Sequence, residues 1–262
     1  MLSYKKKNRK KFGQHFLIDK NIIKKIISFL KIKKEEQIIE IGPGLGALTI
    51  PVSKLLKKMI VIEIDKELCK KMENNRKLNN VIIFNENAIN FNFVKIKKNR
   101  DSLLRIFGNL PYNVSIPIIF SLFKHHHIIQ DMHFMLQKEV VLRLVATLGS
   151  KFYNRLTVVS QFYFKIKILE NVSPNSFKPI PKVDSCFVSF KKKNDNLCSK
   201  YDVNTLSYIT KVAFNQRRKT ICNSLSSLFP KEKLIKLGIN PLLRAQNLSI
   251  SQYCLLSKHL NF

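Results

Sequence analysis

Apolar residues fall into short blocks over the first 190 positions and into helical repeats after them. Positions 37–41, 59–64, 81–84, 103–107 and 132–136 are apolar runs of four to six residues, the length of buried strands. Between them lie patterns of helical period. Ile22, Ile23, Ile26, Ile27 and Leu30 define one face behind Asp19, which is suited to an N-cap. Helices are expected over 48–56, 116–124 and 140–148. Segments 155–163 and 166–172 continue the alternation, and 183–190 reads as a last strand. After Lys191-Lys192-Lys193-Asn194-Asp195-Asn196 only helical patterns remain, over 203–214, 219–228, 231–237 and from about Ser249. The pattern predicts an α/β domain over 12–195 and a small all-α domain over 196–262, with a basic arm over 1–11.

The strand over 37–41 runs straight into Gly42-Pro43-Gly44-Leu45-Gly46 and then a helix; the next strand ends at Glu63. Strand, glycines, helix, strand and carboxylate form the arrangement of nucleoside-binding α/β sheets. Gly42 and Gly44 let the backbone approach a ligand, and Glu63 accepts hydrogen bonds from ribose hydroxyls. The spacing is G-x-G-x-G, which suits a ligand without a pyrophosphate, such as S-adenosylmethionine. Asn87 follows the third strand and Asn109-Leu110-Pro111-Tyr112 the fourth. Ligands of open α/β sheets bind beyond the carboxyl ends of the strands, so these positions converge. Taken alone, the tetrapeptide is equally a turn that ends a strand. It also offers an amide, a carbonyl and a ring, acceptors for an amino group and a face for a flat base. His15, two residues after Gly13, stands in a stretch of alternating aromatic and polar residues.

Charge adds a partner. Forty-seven Lys and Arg against 17 Asp and Glu give a net charge of +30, the footprint of a polyanion-binding protein. Only nine of the basic residues are Arg, and Lys, Ile and Asn are abundant together, as A/T-rich codons would produce. Against that background the cluster Arg217-Arg218-Lys219 stands out as a set of phosphate contacts, with Lys10 and Lys11 of the arm as further candidates. No run of 18 apolar residues exists, and Phe12-Gly13-Gln14 rather than an apolar stretch follows the arm. The five cysteines show no C-x-x-C spacing, and His125-His126-His127 do not converge as ligands would. No metal and no membrane are therefore expected, and the compartment is a reducing one, the cytoplasm.

Five motifs in order resemble one family. Phe12-Gly13-Gln14-His15-Phe16-Leu17, Glu40-Ile41-Gly42-Pro43-Gly44-Leu45-Gly46, Gly108-Asn109-Leu110-Pro111-Tyr112-Asn113, Pro181-Lys182-Val183-Asp184-Ser185 and Ala213-Phe214-Asn215-Gln216-Arg217-Arg218-Lys219 are similar to those of the bacterial small-subunit ribosomal RNA adenine dimethyltransferases. The resemblance implies a Rossmann-like methyltransferase domain followed by a small helical one, with S-adenosylmethionine as donor. The implied reaction is dimethylation of two adjacent adenosines near the 3′ end of small-subunit RNA. The implied donor contacts are His15, Leu17, Gly42, Gly44, Glu63, Asn87 and Asn109. Asn109, Leu110, Pro111, Tyr112 and Phe177 would serve catalysis, the two rings stacking the target adenine. The implied partner is the RNA of an assembling small subunit, met by a monomer. One departure is Asn87, where the family usually has Asp. Asn keeps an acceptor oxygen but loses charge assistance. A large-subunit RNA adenine methyltransferase and a non-catalytic assembly factor on the same fold are the alternatives.

Overall fold

The computed structural model describes residues 14–97, 99, 102–193 and 203–260. The basic arm with Lys10 and Lys11, the residues Phe12 and Gly13, and the expected boundary at 195 lie outside the described residues. Strand β1 (Phe16–Leu17) leads to helix α1 (Lys20–Leu30). The Asp19 carboxylate caps α1 by accepting from the N–H groups of Asn21 and Ile22, and Ile26 and Leu30 on its apolar face are buried. There follow β2 (Ile38–Ile41), α2 (Thr49–Ser53), β3 (Met59–Ile62), α3 (Lys66–Glu73), β4 (Val81–Phe84), β5 (Leu104–Asn109), α4 (Ser115–Phe123) and β6 (Ile129–Gln137). Next come α5 (Lys138–Leu144), α6 (Arg155–Tyr163), β7 (Phe164–Val172), β8 (Phe177–Lys178) and β9 (Ser185–Lys192). The chain ends in α7 (Val203–Asn215), α8 (Ile221–Ser224), α9 (Lys231–Lys236) and α10 (Ile250–Lys258).

Seven strands form one sheet in the order β4-β3-β2-β5-β6-β9-β7. From β4 to β6 the pairing is parallel, and β9 is antiparallel to β6. Every residue of β2 and β3 is buried, as strands covered on both faces must be, whereas the edge strand β4 is half-buried throughout. Strand order runs outward from β2 through β3 to β4, and outward the other way from β5 to β6. The reversal lies between β2 and β5, which places a crevice at their carboxyl ends. A separate two-stranded ladder joins β1 to β8, with Leu17 opposite Phe177.

The chain forms two packing units, one of residues 1–141 and 167–191, the other of 142–166 and 192–262. The chain changes unit at three points, after 141, 166 and 191. The segment 142–166 belongs with the C-terminal helices, because α6 packs on α7, and both pack on α10. Its apolar residues fit a helix buried in either unit, so periodicity along the chain could not assign it.

Candidate functional site

The chain just beyond the carboxyl ends of β2, β3, β4 and β5 contributes to a cavity in the first unit. Counted out to its open mouth, solvent included, it spans about 1080 Å³. Its lining includes His15, Leu17, Gly42, Gly44, Glu63, Asn87, Asn109, Leu110, Pro111 and Tyr112, so the structure brings together ten of the eleven donor and catalytic positions expected from sequence.

The turn after β2 is built for close approach. Gly42 and Gly44 have φ of +69° and +59°, left-handed values that a side chain disfavours, and a Cβ on Gly44 would stand 3.0 Å from the Phe16 ring. Glu63 closes the next position. Its carboxylate accepts from the Gly44 N–H at 3.2 Å and the Asp65 N–H at 3.0 Å. Burial raises its pKa, and those two N–H groups act the other way. Each oxygen keeps a further lone pair for a ligand hydroxyl. Asn85 fixes the neighbouring strand end by donating its amide to the carbonyl of Glu63 at 2.9 Å. Asn87 is exposed at the rim, and its Oδ1 accepts the Ile89 N–H at 3.0 Å.

The tetrapeptide is held from both sides. Asn109 donates its Nδ2 to the His15 carbonyl at 2.8 Å, which leaves Oδ1 as the free acceptor. The Asn109 backbone is close to the glycine turn, since a Cβ on Gly42 would lie 3.6 Å from its carbonyl oxygen. Leu110 lines the cavity and is otherwise buried. Tyr112 pairs its hydroxyl with the Ser185 hydroxyl at 2.5 Å, and burial raises its pKa against that hydrogen bond. That pairing gives a structural reason for the Pro181-to-Ser185 motif: its last residue anchors the Tyr112 ring.

Phe177 is the exception. It is 1% exposed, packed in the core with Leu17, and does not reach the cavity. The ring against Tyr112 is His15, stacked with centroids 5.2 Å apart and planes at 27°. The Phe177 ring is drawn inward by the β1–β8 ladder, a pairing between residues too distant in sequence for local pattern to show. Arg217 also carries bonds of its own. Its guanidinium is held within the second unit by the carbonyl oxygen of Lys151, and Nε bonds the Gln246 Oε1 at 3.2 Å. Arg217, Arg218 and Lys219 are all exposed.

Sequence reasoning gave no role to Glu40, which also lines the cavity. It is fully buried, accepts the Thr49 hydroxyl at 2.7 Å, and its pKa is pushed up to about 8 by burial, with the nearby Glu63 adding to the rise. A carboxylate inside the apolar run Ile38–Ile41 was the available signal, since buried acids are rare without a task.

A family model described as ribosomal RNA adenine dimethylase matches residues 5–261. The chain belongs to that family. It is a methyltransferase with a Rossmann-like fold. Members of the family include the ribosomal RNA small subunit methyltransferase A of Buchnera aphidicola subsp. Acyrthosiphon pisum, 51% identical over 251 residues, covering 96% of this chain and 92% of the relative. The protein of the same name from Serratia proteamaculans is 48% identical over 254 residues, covering 97% and 93%. Among solved structures, a dimethyladenosine transferase from Plasmodium falciparum superposes with a TM-score of 0.78 at 29% identity, covering 92% of this chain and 96% of that one. The 23S rRNA methyltransferase ErmE shares the fold at a TM-score of 0.65 and 21% identity, covering 94% and 99%. Among the described residues no helix is long and apolar enough to cross a membrane, and no cluster of potential metal ligands occurs.

Proposed function

We propose that this chain dimethylates the exocyclic amines of two adjacent adenosines near the 3′ end of small-subunit ribosomal RNA, using S-adenosylmethionine. The observation that carries the reading is the orientation of Asn109. One N–H of its amide goes to the His15 carbonyl, which sets the amide group in a residue that lines the cavity beside the glycine turn, and its oxygen is available there as an acceptor. The donor supplies a methyl group on a sulfonium, an electrophile that needs no metal. Gly42, Gly44 and Glu63 would hold its nucleoside part, with Leu17 and Asn87 against the adenine.

An adenine amine is a weak nucleophile because its lone pair is conjugated with the ring. Asn109 Oδ1 and the Leu110 carbonyl accept its two N–H bonds and favour a tetrahedral nitrogen. The lone pair would then be free to bond the donor's methyl carbon as the carbon–sulfur bond breaks, that bond's electron pair remaining on the sulfur of the departing S-adenosylhomocysteine. Tyr112 stacks on the base, a contact worth about 1–3 kcal/mol. The extra proton leaves the product ammonium for water. Catalysis is chiefly positioning. The small-subunit assignment rests on relatives about half identical to this chain and named for that subunit; action on an assembling subunit in the cytoplasm is part of the proposal.

The test is methyl transfer to purified assembly intermediates, with modification mapping of both ribosomal RNAs. Two dimethylated adenosines in small-subunit RNA are expected. Transfer to large-subunit RNA, or none at all, overturns the reading in favour of one of the two alternatives. Asn109→Ala should abolish transfer while RNA affinity is retained.

A further inference from the structure

The segment 178–184 at the lip of the cavity has no part in the mechanism above. Both of its ends are tied to residues that line the cavity. At one end Lys178 pairs with Phe16 in the β1–β8 ladder, and the Pro179 carbonyl is 2.7 Å from His15 Nδ1. At the other end Ser185 holds the Tyr112 hydroxyl at 2.5 Å, and the Asp184 carbonyl accepts the Lys138 N–H at 2.9 Å. Between these anchors Pro181 is buried, while Ile180 is 63% and Val183 44% exposed. Lys178 and Lys182 are exposed on the same segment. Its one carboxylate, Asp184, lies 3.6 Å from the Lys138 ammonium.

Single exposed apolar side chains are ordinary. Ile180 stands between Lys178 and Lys182 on a segment tied at both ends, beside a cavity that takes one base. We infer that the 178–184 segment is an RNA wedge, with Ile180 filling the gap left in the base stack when a target adenosine enters the cavity. The inference rests on the adenosine-methylating reading above. Removing a base from its stack leaves its neighbour unstacked, at a cost of a few kcal/mol. Apolar side chains inserted at such steps replace the lost contact. Lys178 and Lys182 supply the phosphate attraction that a purely apolar tip lacks, and the anchors at His15 and Tyr112 set the tip beside the pocket it serves.

The chain contains no Trp, so Ile180→Trp installs a lone reporter. The probe is a hairpin RNA carrying the small-subunit 3′-end sequence. The tryptophan emission is expected to fall at least about twofold as the hairpin binds, because bases stack on the indole. Leu55→Trp, 46% exposed just before the amino end of β3 and away from the cavity, should show no such fall. In a second arm, Ile180→Ser should slow single-turnover methylation about tenfold with RNA affinity within about twofold of wild type. A hairpin with an abasic nucleotide beside the target should restore the rate, since its stack is already broken. An unquenched Ile180→Trp on bound RNA overturns the wedge, as does wild-type turnover by Ile180→Ser, loss of its RNA binding, or failure of the abasic hairpin to rescue it. If the wild-type chain transfers no methyl to the hairpin or to assembly intermediates, the reading of its activity fails instead, and tryptophan quenching alone decides the wedge.

Discussion

Asn87 carries two claims on one oxygen. Its Oδ1 already accepts the Ile89 N–H at 3.0 Å, closing the turn after β4. An adenine amine arriving from the cavity must share that oxygen or open the turn. An aspartate has two oxygens, one for each task, and its charge strengthens both bonds. Asn87→Asp should therefore tighten donor binding about tenfold, a charge-assisted bond exceeding a neutral one by roughly 1–1.5 kcal/mol. Calorimetry with S-adenosylmethionine measures this directly. Unchanged or weaker affinity would move the adenine's partner to Glu86, which also lines the cavity. The departure itself was legible, because position 87 falls at a strand end where the resemblance supplies an expectation. The competition was not, since it needs the Ile89 hydrogen bond. The same limit explains Phe177 and His15. Both stood in matching motifs, and which ring meets Tyr112 depends on a strand pairing that no local pattern encodes.

Strands β2 and β5 position the site, one ending at Gly42 and the other at Asn109. Their approach depends on Gly108, where a Cβ would stand 2.2 Å from the Ile41 carbonyl oxygen and 3.3 Å from the Ile41 nitrogen. These are backbone atoms and cannot swing aside. Gly108→Ala should force β5 from β2 and lower stability by at least about 1–3 kcal/mol, the usual cost of overpacking. It should also weaken donor binding, because the Asn109 backbone shifts relative to the glycine turn. Urea denaturation and calorimetry on the same variant check both effects, and an unchanged midpoint would show that the strands can separate freely. At this scale the sequence was informative about the parallel strands: continuous apolar runs have one reading in an alternating α/β chain. It was less so about the later helices. A helix was expected over 219–228, yet α8 spans only Ile221–Ser224. The Ile221 and Cys222 N–H groups are taken by the carbonyls of Leu243 and Pro241, partners some 20 residues away. Such satisfaction of a helix start leaves no mark near the start itself.

Over the whole molecule the question is which positive charges meet RNA. A net charge of +30 guarantees attraction but not contact, and the sequence offered Arg217, Arg218 and Lys219 as one cluster. All three are exposed, and they differ in the internal bonds that Arg217 makes. Arg217 spends its guanidinium on the carbonyls of Lys151 and Tyr153 and on Gln246, tying parts of the second unit that are distant in sequence. Affinity for phosphates changes with salt in proportion to the contacts made, by about 0.7–0.9 in log–log slope for each. Removing Arg218 and Lys219 together should flatten the slope by about 1.4–1.8, twice that increment. Arg217→Ala should leave the slope as it is and lower the urea midpoint, since it breaks bonds within the unit rather than with RNA. Titration of a small-subunit RNA hairpin at several KCl concentrations separates the two outcomes. A flattened slope for Arg217→Ala at unchanged stability would return that residue to the RNA interface and make its internal bonds incidental.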